Sequence, residues 1–209
     1  MDRGMRIQLL VIVGLISLLS VNANAQKYSA LAGIHYSTGF TVEDTRDFVN
    51  EYSWRGFNVE YKNFLGNSLA VGFSTGWNIY DELRYKELIE IDGGAISGTQ
   101  IRYFNSFPVL ATFDYYLGDR RSAVRPYVGL GVGTYFIIQR LEVGVFRREK
   151  ETWHFGLAPQ IGILVPSDYA FFNLYLRYNY AFEAENSITK DPMGFSFVSV
   201  NFGISIPTR

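Results

Sequence analysis

The sequence predicts an all-β chain, an eight-stranded antiparallel up-and-down barrel that crosses a membrane. The first observation is periodicity. Eight segments carry bulky apolar or aromatic residues on alternate positions, facing mostly Gly, Ser, Asn or a charge. In the clearest, Val198, Val200, Phe202, Ile204 and Ile206 alternate with Ser199, Asn201, Gly203 and Ser205. Period two is the side-chain period of a strand, and no helix places those residues on one face. The second observation is that the two faces differ in bulk. Repeated over eight strands, a face such as Phe172, Leu174, Leu176, Tyr178 and Tyr180 amounts to about forty large side chains, too many for the narrow interior of an eight-stranded barrel. The opposite face is thin: Gly72, Ser74, Gly76 and Asn78; Gly129, Gly131 and Gly133; Gly156, Ala158, Gln160 and Gly162. Small residues fit a tight lumen, whereas glycine rows facing water would weaken a soluble sheet. The bulky face therefore points outward. Only a bilayer tolerates so continuous an apolar exterior, and closure satisfies every backbone polar group there.

Taken in order, residues 1–25 read as a secretory signal and residues 26–209 as one barrel domain. Arg3 and Arg6 give a basic start, residues 9–19 are apolar apart from Gly14 and Ser17, and Ala23-Asn24-Ala25 is a small-x-small cleavage site. That apolar stretch is too short to span about 30 Å of hydrocarbon. With no cysteine in the chain, lipid anchoring through a cysteine after it is excluded. So are disulfides, thiolate nucleophiles and cysteine metal sites. Nothing later reaches eighteen uninterrupted apolar residues, so no transmembrane helix is expected. A formal net charge of −1 argues against a nucleic-acid partner, which wants a basic face.

The strands are read over residues 27–38, 53–64, 69–80, 100–116, 125–138, 152–165, 170–182 and 195–206. Each exceeds the roughly ten tilted residues that cross the apolar band of such a barrel. Three connections are short and rich in turn residues: Leu65-Gly66-Asn67-Ser68, the stretch around Gly118-Asp119-Arg120, and Pro166-Ser167-Asp168. Four are long and charged, over residues 39–52, 81–99, 139–151 and 183–194. Short periplasmic turns, long outer loops and an even strand count put both termini in the periplasm. Leu88-Ile89-Glu90-Ile91 and Val143-Gly144-Val145-Phe146 suggest hairpins that continue above the membrane. With 17% aromatics, two interfacial girdles can be built. One, toward the long loops, holds Tyr36, Trp77, Tyr80, Tyr103, Phe136, Trp153, Phe155, Tyr178 and Tyr180. The other, toward the short turns, holds Tyr28, Tyr61, Phe64, Phe113, Tyr115 and Phe172.

Two stretches carry a family likeness: Phe107-Pro108-Val109-Leu110 running to Phe113-Asp114-Tyr115-Tyr116-Leu117-Gly118, and Arg125-Pro126-Tyr127-Val128-Gly129-Leu130-Gly131-Val132-Gly133. On these the chain resembles the small eight-stranded outer-membrane barrels of the OmpA, OmpX and OmpW type, especially the compact single-domain version of Bacteroidetes-like bacteria. The resemblance covers the chain after the leader as a pattern rather than a strict motif. It implies a Gram-negative outer-membrane location and insertion by the barrel-assembly machinery. It further implies contact with lipid and lipopolysaccharide, and no peptidoglycan-binding domain after the barrel. The chain departs from the family by ending Pro207-Thr208-Arg209 rather than on the aromatic residue that serves as an assembly signal.

By phase the lumen receives Glu60, Lys62, Arg102, Asp114, Gln160 and Arg177. Buried charges must be paired, so these read as an ion-pair and hydrogen-bond network plugging the bore, with Asp114 and either Lys62 or Arg177 as the central pair; an ion path is the other reading. The two histidines, His35 and His154, fall on the lumen phase toward the outer end. His35-Tyr36-Ser37 matches the spacing of outer-membrane lipid A deacylases, but the phase turns both side chains inward, away from lipid. No catalytic residue, cofactor site or metal site is expected. Gly129-x-Gly131-x-Gly133 is period-two strand, not a nucleotide loop. The outer loops are acidic, with Glu43, Asp44, Asp47 and Glu51 against Arg46, and Asp81, Glu82, Glu87, Glu90 and Asp92 against Arg84 and Lys86. They read as solvated tips, with bridging divalent cations or a partner surface as alternatives. The expected role is structural or interactive, through these loops and an extracellular protein partner. A conduit for small apolar molecules, a lipid-modifying enzyme and a secreted lipocalin-like carrier are the alternatives.

Overall fold

The structure, a computed structural model, describes residues 29–91, 94–184 and 193–208; the leader, Tyr28 and most of the fourth long loop lie outside the described residues. Eight strands follow in chain order: β1 Ala30–Val42, β2 Arg55–Phe64, β3 Leu69–Ile91, β4 Gly94–Tyr116, β5 Arg125–Val143, β6 Phe146–Pro166, β7 Phe171–Ala184 and β8 Met193–Thr208. Each pairs antiparallel with the next, and β8 closes on β1 from Ala30↔Thr208 to Val42↔Ser196. One six-residue helix, α1 Glu43–Phe48, follows β1.

The alternation read from β8 is the alternation observed. Ser199, Asn201 and Ser205 are buried, while Phe202, Ile204 and Ile206 are exposed. Around the ring Ile34, Phe73, Phe113, Trp153, Ile161 and Leu176 stand exposed, making a continuous apolar belt. Close-set glycines let strands approach: a Cβ at Gly72 would meet the backbone of Tyr61 and Lys62, and one at Gly133 the backbone of Val109 and Leu110.

Four strands, β3 to β6, run five or more residues longer than the periodicity predicts. β3 and β4 pair with each other up to Ile91↔Gly94, and β5 and β6 up to Val143↔Phe146 around Gly144, whose φ of 59° turns the hairpin. β4 also pairs β5 as high as Gln100↔Val143. Together β3–β6 form a four-stranded blade rising above the shorter β1, β2, β7 and β8. Among the described residues, the β2-facing edge of β3 has no partner strand past Arg55↔Ile79, and the β7-facing edge of β6 has none before Gly156↔Ala181.

The lumen is not uniformly polar, as the alternation had implied. At the long-hairpin end Tyr80, Phe104, Tyr135, Phe195 and Phe197 form one buried aromatic layer. At the short-turn end Phe64, Tyr116, Tyr127, Phe171 and Tyr175 form another. The polar residues lie between the two. Tyr80 and Phe64, placed in the girdles by sequence, belong to these inner layers. Tyr80 shares the phase of Asn78, and Phe64 that of Lys62, so their ring character misled where parity did not.

Leu130 faces outward beside the polar layer, opposite Phe113 and Pro159. Leu130→Arg is expected to cost about 2–4 kcal/mol, the depth-dependent penalty for a charge on the lipid face of a barrel. Urea unfolding in lipid vesicles measures it, and an unchanged midpoint would contradict an outward belt in hydrocarbon.

Candidate functional site

At the centre of the lumen two carboxylates share one ammonium. Lys62 Nζ lies 3.2 Å from Glu60 Oε2 and 3.1 Å from Asp114 Oδ2, with the Tyr127 ring centroid 4.7 Å away. Gln160 Nε2 donates to Asp114 Oδ1 at 2.5 Å. Arg177 donates from Nε to Gln160 Oε1 at 2.9 Å and from Nη1 to Ser74 Oγ at 3.0 Å. Asn173 donates to Glu60 Oε1 at 2.9 Å, and the hydroxyls of Tyr127 and Tyr175 donate to Asn173 and Asn58. The thin wall of β5 makes room for this cluster, since a Cβ on Gly129 would fall on the Asp114 carboxylate.

Five of the six lumen residues read from the sequence thus meet, and Arg102 does not. It has the inward phase of Asp114 but stands twelve residues higher on β4, about 40 Å along a strand. There it donates to the carbonyls of Asp47 at 3.1 Å and Phe48 at 3.3 Å, and twice to Gln100 Oε1.

Those carbonyls belong to α1, which turns the first long loop into a lid over the mouth. Thr45, Phe48 and Val49 recur at helical spacing and are buried, so an amphipathic turn forms where a solvated loop was expected. Glu43, at a φ of 52°, makes the reversal out of β1. The lid is tied on all sides. Thr45 Oγ1 accepts the Ser196 N–H at 2.8 Å, Ser196 Oγ donates to Glu43 at 3.0 Å, and Thr41 Oγ1 donates to the Val49 carbonyl. Arg84 Nη2 donates to Asp47 O at 3.0 Å, and Glu82 Oε2 accepts the Asn50 N–H at 2.8 Å. Only the charged face, with Asp44, Arg46 and Asp47, reaches solvent. Burial alone would raise the Glu82 carboxyl. The hydrogen bonds from Arg84 and the Asn50 N–H, and the charges of Arg84 and Arg102, outweigh it and hold the group below 4.5.

His35 sits lower than its assigned outer position, level with Asn58 and 3.6 Å from Glu60 Oε1, with Tyr175 edge-on at 5.3 Å. Ser37 Oγ donates to Asn78 at 2.9 Å. Both point into the lumen, so no His–Ser pair faces the belt. His154 is at the outer end, against the Phe182 carbonyl and Thr152. On the blade, Arg140 and Arg147 both bond Glu149, at 2.5 and 2.7 Å, and hold its carboxyl below the usual range.

No protein-family profile matches the chain, and no curated protein matches it by sequence. Solved structures match it in fold. The crystal structure of Ail, the attachment invasion locus protein of Yersinia pestis, aligns with a TM-score of 0.50 and 15% identity, covering 87% of this chain and 100% of that one. Neisserial surface protein A aligns at 0.49 and 12% identity, over 88% and 98% of the two chains. The N-terminal barrel domain of Pseudomonas aeruginosa OprF aligns at 0.44 and 12%, over 87% and 100%. The likeness to Ail shows the fold: this chain has the architecture of the small eight-stranded outer-membrane barrels.

Two expectations follow from this geometry. Lys62→Met leaves Glu60 and Asp114 facing each other without a cation and is expected to destabilise the barrel by about 3–5 kcal/mol, read as a lowered urea midpoint in detergent. A shift under 1 kcal/mol would mean that the cluster is not held as an ion pair. The lid responds to pH. Since the Glu82 carboxyl is more acidic folded than unfolded, its tie is complete above about pH 4.5 and is lost as pH falls through the depressed value. Amide exchange over residues 43–50, corrected for intrinsic rates, should therefore speed up as pH falls through that depressed value, while barrel amides stay protected. Glu82→Gln should exchange fast at every pH.

Proposed function

We propose that the chain is an integral outer-membrane protein of a Gram-negative cell, exported on the leader at residues 1–25 and inserted by the barrel-assembly machinery. It works as a non-conducting, non-enzymatic platform, its long-hairpin end facing outward. The observation that carries this reading is the combination of an apolar belt outside with a lumen filled along its length, by an aromatic layer, an ion cluster, a second aromatic layer and a lid. Among the described residues, such an interior supports neither a bore for solutes nor a cleft for chemistry.

What remains available for function is the blade. Its edges on β3 beyond Tyr80 and on β6 over residues 146–155 carry backbone groups with no partner strand among the described residues. An extended segment of an extracellular protein can add to such an edge through main-chain hydrogen bonds. The charged, aromatic flank beside it, including Trp54, Tyr85 and Arg55 paired with Asp81, suits the phosphate- and sugar-rich lipopolysaccharide surface.

Carbonate washing should leave the protein in the membrane pellet, with release only by detergent. Refolded protein in planar bilayers should give no discrete conductance steps; steps at low salt would favour transport and sink the platform reading. Trimming both blade hairpins down to the belt should preserve insertion and folding while abolishing adhesion of expressing cells.

A further inference from the structure

A slot runs along the outer face of β6 and β7. Its upper end is a hollow of about 290 Å³ between Pro159, Tyr178 and Val198. Its lower part is a groove of about 400 Å³ that passes Ile163 and Leu174 to reach Pro126. Ile161 and Leu176 line both, so the two are continuous. The hollow coincides with a fault in the wall. The β6–β7 ladder runs through Gly156↔Ala181 and Leu157↔Tyr180 and resumes at Gln160↔Arg177, so the Ala158–Asn179 and Pro159–Tyr178 pairs are missing. Pro108 leaves an equal gap in β3–β4, between Thr75↔Val109 and Asn78↔Ser106. There the gap is strapped by Thr75 Oγ1 donating to the Pro108 carbonyl at 2.9 Å and covered by Trp77 stacked on Phe107 at 5.3 Å.

The slot is closed at one end and open at the other. On the long-hairpin side Tyr178, Tyr180, Phe182 and Phe155 form a chain of ring contacts that caps the hollow, with centroids 6.3, 5.3 and 6.2 Å apart. The lower end opens at Pro126, the second residue of β5, whose carbonyl accepts the Leu117 N–H of the short β4–β5 turn. From Pro159, beside the central polar layer, down to Ile163 is four strand steps, about 13 Å. That is close to half of a hydrocarbon core about 30 Å thick. A hollow walled by Pro, Ile, Leu and Val does not hold water. Left empty, it forfeits the contacts of its lining atoms. Its occupant therefore comes from the bilayer around the belt, and it enters from the short-turn side.

We propose that the slot holds one retained phospholipid of the short-turn leaflet. One acyl chain threads from Pro126 along Ile163, Leu174, Ile161 and Leu176, and its methyl end fills the hollow at Pro159. The head group stays at the interface. The acyl chain covers the Pro159 seam as Trp77 and Phe107 cover the Pro108 seam. This goes beyond the platform role and rests only on the barrel standing in a bilayer.

Native mass spectrometry of lipid-stripped, detergent-solubilised full-length protein tests it. The probes are dioleoyl phosphatidylethanolamine and its dioctanoyl form, whose short chains stop before the hollow. A first dioleoyl lipid should bind at least tenfold more tightly than a second, and at least tenfold more tightly than the dioctanoyl form. Leu176→Trp, which fills the slot, should weaken that first lipid at least tenfold. Val59→Trp, at an exposed position on β2 outside both hollows, should leave it unchanged. Both variants should run as folded bands on unheated gels. A phospholipid with a photoreactive diazirine at the end of its acyl chain should label β6 and β7 near Pro159 and Tyr178, and this decides where Leu176→Trp does not fold. Binding with no distinct first lipid, equal binding of the dioctanoyl form, wild-type affinity in Leu176→Trp, or label spread evenly round the belt overturns the proposal.

Discussion

Closure of the backbone ladder is the constraint on which the other features rest. β1 meets β8 along thirteen register pairs, so the ring has no edge within the belt, and every strand has a neighbour on both sides. Once the ring is shut at eight strands, its interior admits only what a narrow bore can hold. The bulky face must then be the outer one, and the inner face must be graded residue by residue. Gly129, Gly131 and Gly133 are small because Asp114, Leu110 and Ala158 already occupy the space their side chains would take.

The same narrowness explains the layering inside. Charges at that depth cannot be hydrated, and a lone carboxylate or ammonium would be expensive. The chain gathers Glu60, Lys62, Asp114 and Arg177 at one level, links them through Gln160, Ser74 and Asn173, and seals the level with rings on both sides. Tyr127 and Tyr175 belong to the lower seal and also donate hydrogen bonds into the cluster. The seal and the network are therefore one packed body, whose polar members bond to one another.

Much of this was readable beforehand, for a physical reason. Strand parity is strict, so Val198 to Ile206 declared their faces, and Glu60, Lys62, Asp114, Gln160 and Arg177 declared theirs. Parity says nothing about height. Arg102 shares the phase of Asp114 yet works at the lid, and His35 shares the phase of His154 yet sits with Glu60. Ring type was a poorer guide than phase, since Phe64 and Tyr80 look like interfacial residues but follow Lys62 and Asn78 inward. The lid was hidden for another reason. Thr45, Phe48 and Val49 are three residues in an acidic stretch, and their burial depends on Ser196 and Arg102 being brought over the mouth by closure, which no local pattern encodes. The blade was half visible, because apolar alternation persists in Leu88-Ile89-Glu90-Ile91 while the charges around it suggested loop.

The two prolines show how far one fold can treat the same local fault differently. Pro108 and Pro159 each remove a backbone donor from a central strand, a position that sheets ordinarily deny to proline. At Pro108 the neighbouring strand supplies a hydroxyl and a stacked pair of rings, and the wall is restored. At Pro159 the facing residues are Tyr178 and Asn179. The Asn179 side chain is turned inward to Ser199 and the Arg177 carbonyl, so it is not spent on the outer face of the gap. The wall therefore stays unstrapped there, at the level of the ion cluster that holds Gln160 and Arg177. A barrel built only to be an inert plug would gain by strapping both seams alike. The asymmetry leaves the β6–β7 seam less strapped than the β3–β4 seam, and sets this face of the barrel apart from the one at Pro108.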